Sequence, residues 1–142
     1  MISLKQFNKN DNVNLLLKGI ALSCLTTLSN KNKNIIRHKM NNRLKNNSVY
    51  YFILNEEIII GTICLLLNNN TIFINDFAIF KEFQDNGFGR GVLNYIKNKY
   101  RNNNFELGVE KRNLKALHLY QKIGFKIFKE FDEGYFLRLE KE

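Results

Sequence analysis

The chain of 142 residues contains no proline and no tryptophan, and it has only two cysteines and two histidines. Cys24 and Cys64 lack the spacing of a metal site or a redox motif, so we expect both to be buried packing residues in a reducing compartment. His38 and His118 are far apart, and no metal site is predicted. The absence of proline beside abundant asparagine and lysine is consistent with codon bias, and we do not interpret the asparagine clusters as disorder.

Long apolar runs are also missing. The longest, residues 58–67, is too short to cross a bilayer, and residues 1–11 lack the apolar stretch and cleavage site of a signal peptide. We therefore expect a soluble, cytoplasmic protein. With 44% hydrophobic residues the chain can bury a core, and the lack of a linker or repeat predicts a single domain over residues 1–142.

Acidic residues are scarce relative to basic ones. The chain has 13 Asp and Glu against 22 Lys and Arg, which gives a formal net charge of +9. Such a charge attracts polyanions, so a basic nucleic-acid-binding domain is one hypothesis. The basic residues are spread along the chain without an arginine-rich tract, which favours an ordinary solvated surface instead.

Apolar segments alternate with short polar turns along most of the chain. Three of these segments, joined by very short turns, predict an antiparallel meander, and their nearly continuous apolar character predicts helices on both faces of the sheet. A strand–helix–strand unit follows and predicts one parallel pair. The predicted strands are residues 2–7, 49–54, 58–67 with a bulge at Gly61, 71–80, 105–109 and two after residue 124, parted near 132–134. The predicted helices are residues 13–28, as one helix or two because Gly19 interrupts the pattern, 30–47, about 88–101, and 113–123.

One turn, residues 84–91, contains three alternating glycines in the run QDNGFGRG. It stands between an apolar strand and an amphipathic helix. Glycines at a helix start leave backbone N–H groups accessible, and the helix N-terminus attracts anions, so the turn is a candidate phosphate site to which Arg90 adds a full charge. The spacing is neither the dinucleotide fingerprint nor the Walker loop, and plain turn chemistry is the alternative interpretation.

A second motif lies in the last predicted helix, Asn113-x-x-Ala116-x-x-x-Tyr120-x-x-x-Gly124-Phe125. Preceded by Gln84-x-x-Gly87-x-Gly89 in the expected order, it resembles the second signature block of the GNAT N-acetyltransferase superfamily. The resemblance covers residues 49–125 well and the N-terminal helices only in layout. It implies an α/β (α+β) fold whose mixed, mostly antiparallel central sheet has helices on both faces and is splayed at the central parallel strand pair.

The resemblance further implies acetyl-CoA as co-substrate, without a metal. The pantetheine arm would pair with the strand that ends at Ile79, the glycine turn would hold the pyrophosphate, and Tyr120 would lie near the sulfur. Coenzyme A is itself a polyanion, so the basic charge suits it as well as nucleic acid. The implied coenzyme-binding residues are Phe77, Ala78, Ile79, Gln84, Asp85, Asn86, Gly87, Phe88, Gly89, Arg90, Asn113, Ala116, Tyr120 and Lys122, the last either near a phosphate or in solvent.

Within this scheme, Tyr120 would be the general acid that protonates the leaving thiolate, and backbone N–H groups near Ile79 would stabilise the oxyanion. Asp76 is the only carboxylate on the central strand, and it has either an acceptor-binding or proton-abstracting role or a structural one. A water chain is the rival base. His118 is discounted because it lies two positions from Tyr120 on the helix and points nearly the opposite way.

Three functions follow as hypotheses. The first is an N-acetyltransferase that moves an acetyl group from acetyl-CoA to a primary amine of a small molecule or peptide by direct attack in a ternary complex. The second is a non-catalytic module of the same fold that binds acyl-CoA, and the third, less favoured, is the nucleic-acid-binding domain. The sequence leaves the acceptor open among a metabolite, a peptide N-terminus, a lysine side chain, a polyamine and an antibiotic. The acidic residues Glu130, Asp132 and Glu133 either attract a cationic amine or form an ordinary charged turn. The oligomeric state is monomer or homodimer.

Overall fold

The chain folds around one seven-stranded sheet, as seen in a computed structural model that describes residues 1–142. The strands are β1 (Ile2–Gln6), β2 (Val49–Asn55), β3 (Ile58–Asn68), β4 (Thr71–Ile79), β5 (Asn104–Glu110), β6 (Lys126–Phe131) and β7 (Gly134–Leu139). The helices are α1 (Val13–Ser23), α2 (Lys33–Lys45), α3 (Phe88–Lys99) and α4 (Leu114–Ile123). The strand order is β1-β2-β3-β4-β5-β7-β6, and only β4 and β5 are parallel. The predicted mixed, mostly antiparallel sheet is confirmed.

The parallel pair separates partway along its length. β4 pairs with β5 only from Thr71 to Ile74, opposite Asn104 to Leu107. Beyond that point β4 continues to Ile79 along β3, while β5 continues to Glu110 along β7. A gap therefore opens between the carboxyl ends of the two central strands, and the predicted splay is confirmed.

The helices bury two separate cores, one on each face of the sheet. On one face α1 and α2 cover Tyr50, Phe52 and Cys64, and on the other α3 and α4 cover a larger cluster that includes Leu107 and Leu137. The first layer is incomplete, because α1 contacts β3 and β4 and α2 contacts β2, but neither extends over β5, β7 and β6. The prediction of helices on both faces is confirmed, although the face of β5, β7 and β6 that α1 and α2 do not reach leaves the side chains of Phe128, Phe131 and Phe136 exposed.

The first helix differs from its prediction. α1 continues through Gly19 as one helix, the first of the two alternatives, and it ends at Ser23, so the predicted extension to residue 28 is wrong. Gly19 is buried where α1 crosses β3, and a Cβ at this position would overlap the side chain of Thr62. The glycine therefore serves the close approach of helix and sheet, and the surrounding apolar contacts outweigh its low helix propensity.

The bulge predicted at Gly61 lies beside that residue. Ile53 and Leu54 of β2 face Gly61 and Ile59, so Ile60 is the extra residue of β3. None of the helices is long and apolar enough to cross a membrane.

Candidate active site

A cavity of about 770 Å³ lies at the splayed ends of β4 and β5, a size typical of small-molecule sites. One half is formed by the end of β4, the glycine turn, the start of α3 and α4, and we call it the turn half. Its lining includes Phe77, Ala78, Ile79, Gln84, Asp85, Gly87, Phe88, Gly89, Arg90, Asn113, Lys115, Ala116, Leu119 and Tyr120. The other half is formed by residues 22–27, Lys39 and Arg43 of α2, Asp76, residues 108–110 and Phe131, and we call it the α2 half.

A bulge in β4 shapes the middle of the cavity. Thr62 and Cys64 of β3 face Ala78 and Asn75, so Asp76 and Phe77 together face the single residue Ile63. Asp76 has a φ of 50°, in the left-handed region that aspartate tolerates better than most residues. From this point to Ile79, β4 has no strand partner on its β5 side, so alternate backbone groups along that edge face the cavity.

The glycine turn is held by its own side chains. The Nε2 of Gln84 donates to the backbone oxygen of Ile79 at 2.9 Å, and the Nδ2 of Asn86 donates to the oxygens of Gln84 and Phe83 at 3.0 and 3.4 Å. Gln84 therefore ties the turn to the free edge of β4. Asn86 and Gly91 are the two residues of the predicted turn that do not line the cavity.

The start of α3 is open to a ligand. Gly87 is the N-cap with a φ of 78°, and no side chain caps the helix, so the first-turn N–H groups have no intrahelical acceptor. A Cβ at Gly87 would meet nothing within 4 Å. At Gly89 a Cβ would lie 3.1 Å from Leu119 Cδ2, so a larger residue there would require that side chain to move by a few tenths of an ångström. This end of the cavity has the geometry of an anion site.

Two basic side chains lie at the cavity end formed by the start of α3, and one of them, Lys115, was not predicted. Arg90 is exposed and lines the cavity as predicted. The ammonium of Lys115 lies 2.8 Å from Asp85 Oδ1 and 3.4 Å from Gln84 Oε1. Lys122, the predicted lysine, is exposed and outside the cavity, because seven residues of helix carry it about 10 Å beyond Lys115. The sequence signal for Lys115 was its position just after Asn113, beside the helix start.

Asn113 caps α4, since its Oδ1 accepts a hydrogen bond from the N–H of Ala116 at 3.3 Å. The cap orients α4 so that Asn113, Ala116 and Tyr120 face one cavity, which brings the second motif together with the first. His118 is exposed and lies outside the lining.

Tyr120 is 7% exposed and packs edge-to-face on Phe125, with ring centroids 5.8 Å apart. Burial raises the pKa of its phenol above the ordinary value, and no hydrogen bond contributes to that shift. The hydroxyl therefore stays protonated at neutral pH and faces the cavity as a free donor.

Asp76 is the most constrained side chain of the α2 half. Only 2% of its side chain is exposed. Its Oδ2 accepts from the Tyr50 hydroxyl at 2.6 Å and from Arg43 Nε at 3.4 Å, while Lys39 Nζ lies 3.2 Å from Oδ1. Burial and then the adjacent carboxylate raise the pKa of Tyr50, which keeps the phenol a donor. The carboxylate is therefore held by three side chains, one from β2 and two from α2.

Cys24 differs from expectation, and the acidic turn lies outside the cavity. Cys64 is buried as predicted, but Cys24 is only half-buried, lines the cavity, and accepts a hydrogen bond from Lys39 Nζ at 2.9 Å, so its prediction as a buried residue was wrong. Glu130 pairs with Lys111 at 2.6 Å. Asp132 and Glu133 are exposed, and none of these three acidic residues lines the cavity.

No group of three or more His, Cys, Asp or Glu side chains is placed to hold a metal ion. The cavity thus offers, from one end to the other, an anion site at a helix start, a free strand edge, a protonated phenol and a pair of cations around a buried carboxylate.

Comparison with known proteins agrees with this geometry. The model of the acetyltransferase (GNAT) family matches residues 21–125. No curated protein matches the chain in sequence.

Solved structures match nearly the whole chain at low identity. The N-acetyltransferase PseH of Campylobacter jejuni is 20% identical, covers 99% of both chains and has a TM-score of 0.69. A spermidine N-acetyltransferase of Vibrio cholerae, solved with CoA and spermine, is 17% identical over 99% of this chain and 95% of its own, with a TM-score of 0.74. The PaiA N-acetyltransferase of Thermoplasma acidophilum, solved with coenzyme A, is 16% identical over 99% of both chains, with a TM-score of 0.75. At these identities the likeness establishes the fold.

Proposed function

Because the chain belongs to the GNAT acetyltransferase family, whose members take the acetyl group from acetyl-CoA, we propose that it acetylates a primary amine of a small molecule or peptide by direct attack in a ternary complex. This proposal depends on one observation: the free edge of β4, the open start of α3 and Tyr120 all line the same cavity. A cosubstrate with an anionic head, an amide-rich arm and a reactive thioester matches these three features in that order. We also propose that residues 1–142 form a single catalytic domain.

The coenzyme would lie along the turn half. The N–H groups of Gly87, Phe88, Gly89 and Arg90 would bind the pyrophosphate at the helix start, with the side chains of Arg90 and Lys115 adding charge. Phe77, Ala78 and Ile79 would offer backbone groups to the pantetheine amides, as an added strand does. The roles proposed for Gln84 and Asn86 are indirect, since both side chains are used to hold the turn.

Acetyl transfer requires that one proton is delivered to the leaving sulfur and that one proton is removed from the attacking nitrogen. The amine nitrogen attacks the thioester carbon, the C–N bond forms, and the negative charge on oxygen is stabilised by N–H groups on the free edge of β4. When the C–S bond breaks, Tyr120 gives its proton to the departing sulfur, which yields free coenzyme A. The nitrogen loses one proton to solvent, and solvent returns one proton to the Tyr120 phenolate. The products are therefore an acetamide and a thiol.

For that nitrogen proton we favour water over Asp76. The Asp76 carboxylate is buried and already bonded by Tyr50, Lys39 and Arg43, so most of its acceptor sites are in use. We propose that Asp76 instead anchors the bulge in β4 and the two α2 cations.

The proposal is tested by incubating the protein with acetyl-CoA and a panel of amines and short peptides, and by quantifying acetylated product and free coenzyme A by mass spectrometry. We expect equal amounts of both for at least one class of amine. Acetyl-CoA binding with no acetylated product across the panel would favour the non-catalytic module. Failure to bind acetyl-CoA, with salt-sensitive binding of nucleic acid, would favour the basic binding domain.

The cytoplasmic location also stays a proposal, supported by two cysteines that form no disulfide. Monomer or homodimer stays a prediction.

A further inference from the structure

The unpaired charge in the α2 half of the cavity is positive. Its acidic side chains are Asp76, which is 2% exposed, and Glu110, whose Oε2 lies 2.9 Å from Arg112 Nε. Its basic side chains, Lys39 and Arg43, are 36% and 34% exposed. The exposed charges of this half are therefore an ammonium, a guanidinium and one carboxylate, Glu110, which is 46% exposed and already paired with Arg112.

Arg43 is only partly used by the protein. Its Nε reaches Asp76 Oδ2 at 3.4 Å, and no other hydrogen bond from its guanidinium is formed. Four of the five guanidinium N–H donors thus remain for a ligand, and they include the paired N–H groups of the Nη edge, a geometry that matches the oxygens of a carboxylate or phosphate. Because Arg43 lines the cavity, this edge is reachable from the acceptor side.

Lys39 stands one helical turn from Arg43 on the same face of α2. Burial acts against its charge, but the hydrogen bond to Cys24 and the field of Asp76 outweigh burial and raise the pKa of Lys39, so it is cationic at neutral pH. Two neighbouring cations share one buried carboxylate, which leaves one positive charge uncompensated. A second anion in the cavity would balance it.

Cationic acceptors fit this half poorly. A second or third ammonium on the acceptor would lie near Lys39 and Arg43, and the one exposed carboxylate of this half, Glu110, already pairs with Arg112. The acidic turn that would have served, Glu130 with Asp132 and Glu133, lies outside the cavity. The only side chain of that hairpin that reaches the cavity is the apolar Phe131.

Building on the proposed function, we infer that the acceptor amine also carries an anionic group, a phosphate or a carboxylate, which Arg43 and Lys39 bind beside Asp76. The amine would then point along the cavity toward Tyr120. This arrangement selects amino acids, amino sugar phosphates and similar zwitterions over polyamines.

The inference is tested without turnover, by NMR titration of the protein saturated with coenzyme A, so that the coenzyme's own phosphates occupy their site. The probes form a matched set: 2-aminoethyl phosphate, β-alanine, ethanolamine and 1,3-diaminopropane. We expect 2-aminoethyl phosphate to bind about tenfold tighter than ethanolamine, because a charge-assisted hydrogen bond is worth about that factor. We expect β-alanine to follow it and the diamine to bind weakest, with shifts in residues 36–46.

Arg43→Gln should reduce the preference for phosphate over hydroxyl to about twofold or less, whereas Arg37→Gln, the same change on α2 outside the cavity, should leave it intact. Arg43→Lys should recover only part of it. Equal affinity of the wild type for 2-aminoethyl phosphate and ethanolamine, or tightest binding of the diamine, would overturn the inference even if no variant folded. Loss of coenzyme A binding would instead count against the proposed function, so the two failures are distinguishable.

Discussion

The two halves of the cavity offer different kinds of binding group. The turn half offers mainly backbone groups, namely the first-turn N–H groups of α3 and the free edge of β4, whose positions follow from glycine placement and strand splay. The α2 half offers side chains that are mutually bonded, with Asp76 at the centre of Tyr50, Lys39 and Arg43. A backbone site suits a cosubstrate shared by a whole family, whereas a side-chain site changes with single substitutions. On the proposed function, this difference predicts that the α2 half sets the specificity for the acceptor.

The largest effect should come from Tyr120, where the two halves meet. Tyr120→Phe removes the proposed proton donor and keeps the ring on Phe125, so kcat should fall by about 100-fold or more, as for loss of a general acid. The Kd for acetyl-CoA should change by less than about threefold, since one hydroxyl contributes little to the binding of the whole coenzyme. Tyr95→Phe, a phenol outside the cavity, is the control. A Tyr120→Phe enzyme with normal kcat would show that the thiolate leaves without this acid.

Asp76 tests how rigidly the α2 half is held. Asp76→Asn tolerates the positive φ but removes the negative charge that Lys39 and Arg43 share. The free energy of unfolding should therefore fall by about 2 kcal/mol, and no more, because both cations are partly exposed to solvent. Asp76→Ala should cost about 1 kcal/mol more, because alanine also strains the left-handed backbone. Urea unfolding followed by circular dichroism gives both values. Equal stability of the wild type and Asp76→Ala would refute an anchoring role.

A smaller effect separates two lysines of α4. Lys115→Gln should weaken acetyl-CoA binding by about three- to tenfold, since Lys115 stands at the open helix start but is partly compensated by Asp85. Lys122→Gln should leave it unchanged, because this side chain is outside the cavity. Titrations at two salt concentrations should show the Lys115 difference shrinking with salt. The reverse ranking would place the phosphates elsewhere on α4.

The smallest effect concerns the two thiols. Cys24 lines the α2 half, whereas burial raises the pKa of the Cys64 thiol to about 12. At pH 8 the folded protein should therefore react with one equivalent of a thiol reagent, and Cys24→Ser should abolish that reaction. Two reactive equivalents in the folded wild type would contradict the burial of Cys64.

The turn half could be predicted from the sequence because its determinants are local. Glycines at 87 and 89, a preceding apolar strand and a following amphipathic helix specify a helix start beside a strand end, and the Asn113 and Tyr120 spacing fixes the facing helix. Lys115 was missed in favour of Lys122 because spacing alone does not say which turn of α4 reaches the glycine turn.

The α2 half could not be predicted in the same way. Asp76 was noticed as a lone carboxylate, but its partners Lys39 and Arg43 are 37 and 33 residues away in sequence, among several similar basic residues of α2. Their faint signal was a position beside the buried Ile36 and Met40, which places them at the border of the apolar face. Long-range side-chain pairing of this kind depends on how α2 lies on the sheet, which no local pattern encodes.

The most direct test of the account is calorimetric titration of acetyl-CoA into the wild type, Gly89→Glu and Gly91→Glu. Both variants add the same charge to the first turns of α3, but only Gly89 lines the cavity, and Gly91 has room for a side chain, 3.6 Å from Ile2 Cγ1. Gly89→Ala controls for the contact with Leu119.

We predict that Gly89→Glu weakens binding by about 100-fold or more, through charge repulsion and blocked N–H groups, while Gly91→Glu and Gly89→Ala stay within about threefold of the wild type. Equal binding by Gly89→Glu and the wild type, or no binding by the wild type, would contradict the assignment of this cavity to acetyl-CoA.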